Sequence, residues 1–464
     1  MKYKLPKNSS AEIKVGFVSL GCHKNLVDTE MMIGKLLDEK AVKLTNDPRE
    51  ARVIVVNTCG FIDSAKEESI TTILQMAEYK KKGQCRGLIV TGCLAQRYAK
   101  ELWDECPEID ALLGTNAWEQ IPAALEAVLK GERLCKLSNQ GAEPWPAVLP
   151  ARFLTTSPHS VYLKISEGCD NRCSYCVIPD IRGPLRSRTM SSIAEEARTL
   201  AAQGAKELNV IAQDTTSYGR DLFGQPKLPD LLRLLIEVPG IKWVRLLYCY
   251  PRFFTDELIE LFRTEPKICR YIDLPMQHAH DEILKKMNRP ERLADLEALL
   301  AKIRRHLPDV AIRTTFIVGF PGETDEHYLA LRNFVAEQKF DHLGVYTYSR
   351  EEGTPAAAMP DQVPDQVKEE RYHDLMSLQA AISEEKNSSW VGKVLPVLVE
   401  SVDASNQELT WGRSYREAPE VDGRVYLEGA AHCRPGEFIQ AKIVQAFAYD
   451  LLAEAQDPAS NPSR

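Results

Sequence analysis

Cys169-Asp170-Asn171-Arg172-Cys173-Ser174-Tyr175-Cys176 sets three thiols in a C-x3-C-x2-C run, directly after the apolar segment Val161-Tyr162-Leu163-Lys164-Ile165. The segment reads as a buried strand, so the thiols stand in a tight loop at a strand end. Such a loop is a soft-ligand pocket suited to iron–sulfur or zinc. No fourth cysteine lies near it. Structural zinc takes four protein ligands, whereas a cubane held by three thiolates leaves one iron open to another ligand. A zinc site completed by a distant histidine and an unrelated grouping of thiols are the other readings of the run.

Outward from this loop, toward the C-terminus, apolar segments recur at 207–212, 243–247, 271–274, 312–318 and 342–346, separated by helix-like stretches. With 161–166 they make six strand–helix units, fewer than the eight of a closed barrel. A partial (βα)6 barrel is predicted, with a lateral gap wide enough for a macromolecular substrate and an active site at the strand ends beside the cysteine loop. Phe316-Ile317-Val318-Gly319-Phe320-Pro321-Gly322-Glu323 ends the fifth strand, and its two glycines let the backbone approach a ligand closely. The same segment also reads as a plain strand-to-helix turn with Thr324 or Asp325 as N-cap. Gln213, Asp214, Gln277 and His278 are further polar strand-end residues. Arg182, Arg186 and Arg188 form a basic loop, read either as steering a carboxylate or phosphate or as solvated.

Toward the N-terminus the strand–helix unit repeats. Residues 13–20 read as a parallel strand stopping at Gly21-Cys22, and 25–39 as a helix with Leu26, Met32, Ile33, Leu36 and Leu37 on one face. Strands at 53–56 and 87–90 end in Asn57-Thr58-Cys59-Gly60 and Thr91-Gly92-Cys93, and a fourth lies at 111–113. Alternating elements predict a doubly wound parallel sheet, whose carboxyl edges share one crevice. Cys22, Cys59 and Cys93 therefore form a second three-thiolate site, unless they are unrelated cysteines beside turn glycines.

The chain of 464 residues has room for two to four domains, and 44 % hydrophobic with 27 % charged residues is ordinary for a globular protein. A net charge of −8 argues against a nucleic-acid backbone as main partner and permits a basic protein. No apolar run reaches membrane length and the first residues lack an apolar signal core, so a cytoplasmic protein and no membrane partner are expected. Twelve cysteines in such a chain point to reduced thiols and metal; Cys85, Cys106, Cys135, Cys249, Cys269 and Cys433 read as core or surface residues.

Domain limits follow from composition: 11–136, a proline-rich linker at 137–159, 160–388, and 391–456. Residues 366–387 read as a helix with Leu375, Leu378 and Ile382 inward. Strands at 392–402, 408–414, 424–427 and 438–446 predict a small antiparallel β-barrel of the oligonucleotide-binding type. The tail from 456 reads as disordered.

The cysteine run, with Tyr175 before its last cysteine, resembles the signature of radical S-adenosylmethionine (SAM) enzymes. The resemblance implies a [4Fe-4S] cluster on Cys169, Cys173 and Cys176 whose open iron chelates SAM and whose electron splits the sulfonium to give a deoxyadenosyl radical. It places Gly319, Pro321, Gly322 and Glu323 at the SAM pocket, and Tyr175 of the signature and the strand-end Gln277 are candidates for the same pocket. Cys22, Cys59 and Cys93 resemble the amino-terminal domain of the methylthiotransferases, which implies a second [4Fe-4S] cluster on the sulfur side of the reaction. The terminal barrel resembles a TRAM domain, which implies contact with RNA.

That family has two substrate classes, a tRNA adenosine and an aspartate of a small-subunit ribosomal protein, the twelfth in the standard count. Asn57-Thr58-Cys59-Gly60-Phe61-Ile62, Gly168-Cys169-Asp170-Asn171 and 412–423 (GRSYREAPEVDG) look like the ribosomal-protein branch. Between 391 and 461, six basic against eleven acidic residues also favour a basic protein partner over phosphates. An external electron donor is implied, and no general acid or base is assigned. A non-catalytic cluster protein that carries electrons or binds RNA is the reading from another class.

Overall fold

The structure, a computed structural model, describes residues 12–39, 41–138, 145–146, 149–402 and 410–456. The predicted tail, the centre of the linker and the residues just before Thr410 fall largely outside these. Three units are present. In the first, Ile13–Ser19, Val42–Leu44, Val53–Thr58, Gly87–Gly92, Ala111–Leu113 and Leu134–Lys136 form one parallel sheet with Ile13–Ser19 second from an edge. Helices cover both faces: His23–Leu37 and Ile121–Leu129 on one, Asp63–Lys82 and Ala99–Glu105 on the other. Two edge strands that the sequence pattern did not reveal, Val42–Leu44 and Leu134–Lys136, are three residues each, too short to show alternation.

The second unit is the six-stranded open barrel. Ser160–Lys164, Glu207–Ile211, Trp243–Leu246, Ile268–Asp273, Ala311–Val318 and His342–Thr347 pair in parallel in chain order. Its outer core is the apolar layer of Leu163, Leu208, Val210, Leu246, Ile272 and Phe316 under the helices. An eight-stranded barrel fills its own centre with side chains; six strands cannot. Here other units fill it. Val27, Met31 and Met32 of His23–Leu37, Tyr162, Trp243 and Tyr271 of the barrel, and Leu398 and Ala418 of the third unit belong to one buried cluster. Helix His23–Leu37 is accordingly buried around most of its circumference, unlike a surface helix with a single apolar stripe.

The third unit is a closed barrel of Val394–Ser401, Trp411–Arg413, Val425–Glu428, Leu451–Ala455 and Phe438–Ala446. Leu451–Ala455 was not foreseen, and it pairs in parallel with Val425–Glu428, so the barrel is not wholly antiparallel. An odd number of strands cannot alternate direction all the way round a closed barrel, so one parallel pair is required.

Residues 412–423 lock this barrel into the open one. Arg413 Nη2 donates to Glu207 Oε2 at 2.5 Å and also to Glu400 Oε1. Arg245, likewise buried, pairs with Glu207 Oε1 at 2.8 Å and donates to the carbonyl of Tyr415 at 2.7 Å. Arg416 meets Asp341 at 2.9 Å, and the Tyr271 hydroxyl donates to Asp422 at 2.6 Å. Of the eleven acidic residues in this barrel's stretch, 391–461, Glu400, Glu417, Asp422 and Asp450 are buried or half-buried, as are Arg413 and Arg416, and Asp403, Glu408 and Asp457 lie outside the described residues. Among the described residues its exposed charges balance, with Lys393, Arg424, Arg434 and Lys442 against Glu420, Glu428, Glu437 and Glu454.

Glu207 is held down to about 2: burial raises it, and the facing guanidiniums of Arg413 and Arg245 outweigh that. A carboxyl lowered in the folded state contributes stability that is complete above its unfolded value near 4.5 and is lost as pH falls toward 2. Urea unfolding should show the chain losing stability across that window. Arg413→Lys keeps the charge but cannot reach Glu207, Glu400 and the Glu417 carbonyl together, and should cost about 1–2 kcal/mol at neutral pH.

Among the described residues no helix is long and apolar enough to cross a membrane.

Candidate functional site

The three N-terminal cysteines lie at the carboxyl ends of neighbouring strands, and the glycines beside them set their spacing. A Cβ on Gly21, whose φ is +83°, would stand 2.6 Å from Cys59 Cβ. One on Gly60 would stand 2.9 Å from the backbone of Leu94, next to Cys93. The loops of Cys22, Cys59 and Cys93 thus touch only because these positions lack side chains. Asn25 ties them further: its Nδ2 donates to the carbonyls of Leu20 at 3.0 Å and Thr58 at 2.9 Å, and its Oδ1 lies 3.8 Å from Cys93 Sγ.

The second triad occupies a loop pinned at both ends. Cys169 N donates to the Gly183 carbonyl, Ser174 N to the Met287 carbonyl, and Cys176 N to the Cys173 carbonyl. All six thiols are free. Burial pushes Cys93 and Cys169 up to about 12 and raises Cys176 and Cys59 as well. At Cys22 burial is outweighed by Lys24 and Arg182, and the thiol is lowered. Among the described residues no three or more His, Cys, Asp or Glu side chains close around the position of a single ion. A cubane binds each thiolate through a different iron, so its ligands stand farther apart than those of one ion; two sets of three free thiols on pinned loops suit that group.

A buried polar chain joins the triads. Arg182, 1 % exposed, donates through Nη2 to Cys93 Sγ at 3.4 Å and to Asn25 Oδ1. Its Nη1 meets Glu167 Oε1 at 2.8 Å and Asp28 Oδ2 at 3.3 Å. Lys164 bridges the same two carboxylates, at 2.9 Å to Glu167. Glu167 lies two residues before Cys169, so one ion-pair network runs from a ligand of one triad to the foot of the other. Arg188 is also buried, paired with Glu196 at 2.5 Å. The loop of Arg182 and Arg188 is therefore not a solvated one.

The aromatic and strand-end candidates sit around the second triad. Tyr175 and Ile317 pack against the cluster of Ile283, Met287, Phe320, Tyr348 and Ala356, which brings the cysteine loop and the 316–323 turn together. Gln277 has φ +74°, and its backbone N–H and carbonyl bond Thr315 and Ile317. Glu323 is turned inward: Oε1 accepts from Gly319 N at 3.0 Å and from Arg371 at 2.7 Å, and Oε2 faces His278 Nε2 at 3.3 Å. Pro321 is buried; Gly319 lies under the Lys368 stem and Gly322 beside Lys286 Nζ. Thr324 caps the following helix.

Beside Cys22, His23 stacks on Tyr162 with ring centres 4.0 Å apart, and its ring nitrogens reach Tyr248 OH at 3.2 Å and Glu420 Oε2 at 3.1 Å. Lys24 Nζ lies 3.3 Å above the Tyr248 ring. Tyr248 has φ +59°, fixed by its N–H to Asp273 Oδ2 at 2.8 Å. Sequence reasoning overlooked Lys24, Asn25, Asp28, Lys164, Glu167 and Tyr248. Their one local signal is position, since Lys24 and Asn25 follow Cys22 and Glu167 precedes Cys169.

Residues 14–114 match the uncharacterized protein family UPF0004, 163–335 the radical SAM superfamily and 391–455 the TRAM domain. The chain is 49 % identical over 444 residues to the ribosomal protein uS12 methylthiotransferase RimO of Desulforamulus reducens, covering 95 % of this chain and 99 % of that one. The protein of the same name from Lachnoclostridium phytofermentans is 48 % identical, covering 96 % and 100 %. That from Pelotomaculum thermopropionicum is 50 % identical over 442 residues, covering 95 % and 99 %. Among solved structures, the radical SAM methyltransferase TsrM of Kitasatospora setae, bound to tryptophan and a SAM analogue, superposes with a TM-score of 0.55. It does so at 14 % identity over 89 % of this chain and 93 % of that one, a likeness of fold.

Proposed function

Since the chain belongs to the family of ribosomal protein uS12 methylthiotransferases, radical SAM enzymes that use SAM and [4Fe-4S] clusters, we propose that it adds a methylthio group to the β-carbon of an aspartate of uS12. The observation that carries this reading is the Cys93–Arg182–Glu167 chain, which ties a thiol of the N-terminal triad to the residue two before Cys169. In this reading Cys169, Cys173 and Cys176 hold the cluster that binds SAM, and Cys22, Cys59 and Cys93 hold the other. When bound, these groups supply reductive cleavage of a sulfonium on one side and transferable sulfur on the other, with an outside protein as electron donor.

The chain's own residues position and enclose. Tyr175, Gln277, Gly319, Pro321 and Gly322 border the SAM site, and Glu323 is a positioning residue that holds Gly319 through its backbone N–H. The pinned loops keep each triad in place before iron arrives. Next to Cys22, His23 packs on Tyr162 and Tyr248, and residues 412–423 are fastened to the barrel through Arg245 and His23. Contact with ribosomal RNA through the TRAM barrel and a cytoplasmic location accompany a ribosomal substrate.

Intact-mass analysis of uS12 from a deletion strain checks the reading. The expected result is loss of one methylthio increment, restored by the wild-type gene. Unchanged uS12 together with depleted methylthio-adenosine in tRNA would overturn it in favour of the RNA branch.

A further inference from the structure

Resting on that reading, the geometry points to Lys24 as the residue that receives the carboxylate of the substrate aspartate. Its neighbours among the buried cations are all provided for. Arg182 and Lys164 share Asp28 and Glu167, Arg152 has Glu30 and Glu196, and Arg245 and Arg413 share Glu207. Lys24 is 8 % exposed; it faces the Tyr248 side chain and the Cys22 thiol, which it lowers, and among the described residues no carboxylate stands within ion-pair distance of it. Its ammonium lies on the face of the Tyr248 ring, which supplies attraction without a balancing charge.

A buried ammonium with no carboxylate partner is costly, and a ligand carboxylate would complete it. The place fits an aspartate side chain. Lys24 is two residues from Cys22, on the helix whose Asn25 binds the loops of all three N-terminal thiols. Tyr248, which seats the ammonium, stands at the end of a barrel strand on the side of the cysteine loop. A carboxylate held at Nζ thus hands its β-carbon to the space between the triads. A neutral adenine edge would leave the ammonium unpaired, so the same residue selects a protein carboxylate over a nucleobase.

The test is equilibrium binding of uS12, and of uS12 with the target aspartate changed to asparagine, to reconstituted holoenzyme. Iron content is measured on the same samples. Wild type should prefer the aspartate form; Lys24→Met should bind that form at least about ten-fold more weakly, no longer distinguish it from asparagine, and keep wild-type iron. Lys24→Arg should recover part of the preference. Retained discrimination in Lys24→Met, or a loss of iron that would make Lys24 a counter-ion of the thiolates, overturns the assignment while leaving the proposed function standing. If wild type modifies uS12 yet binds both forms equally, the assignment again falls alone; if wild type neither binds nor modifies uS12, both fall.

Discussion

Replacing Cys169, Cys173 and Cys176 by alanine is expected to remove about half of the bound iron and to abolish reductive cleavage of SAM, leaving a folded protein. Replacing Cys22, Cys59 and Cys93 is expected to remove the other half, to preserve SAM cleavage and to abolish sulfur transfer. The even division follows from the proposed assignment of one cluster to each set of three thiolates. Folding should survive because the loops are held by other bonds. Cys169 N and Ser174 N bond the carbonyls of Gly183 and Met287, and Cys59 is tied through backbone N–H and carbonyl to Ser69 Oγ at 3.1 and 2.9 Å. Iron and sulfide counts on anaerobic protein, with chromatography of deoxyadenosine, check both variants. Loss of all iron from either one, or SAM cleavage by the first, would show that the triads do not hold separate clusters.

Arg182→Met is the second large effect. The guanidinium is buried, and it is shared by Glu167, Asp28, Asn25 and Cys93 Sγ. Without it two buried carboxylates depend on the single ammonium of Lys164. Removing one member of a buried ionic set costs about 3–5 kcal/mol, because the remaining charge has lost its solvent and its partner. Urea unfolding of the metal-free chain should register that loss, and iron should fall at the N-terminal triad more than at the other. Arg182→Lys, which keeps the charge without the fork, should lie between. An unfolding midpoint equal to wild type would mean that the network contributes nothing net to stability.

The cysteines, the six barrel strands and the order of the three units were legible because each rests on local spacing: C-x3-C-x2-C, a thiol after each apolar run, and period-two segments in the terminal barrel. What was hidden depends on pairs far apart in the chain. Nothing near Arg413 announces that it meets Glu207, so 412–423 read as a mark of substrate branch and its charges as surface. In the structure that segment is a structural latch. Likewise Glu323 pointed to a ligand from its motif, while the fold directs one oxygen at Gly319 and Arg371 and the other at His278. Strands Val42–Leu44, Leu134–Lys136 and Leu451–Ala455 escaped because runs of three to five residues carry too little pattern.

The contact between Glu420 and His23, the neighbour of Cys22, bears on how the molecule is born. Translation delivers the two halves of this contact at opposite times, and until the last strands leave the ribosome the centre of the open barrel is covered from the N-terminal side alone, by Val27, Met31 and Met32. Iron inserted early would meet a half-walled chamber open to oxygen and water. A chain cut before the terminal barrel, lacking Leu398, Ala418 and Glu420, should therefore emerge as an uncorked vessel rather than a smaller enzyme.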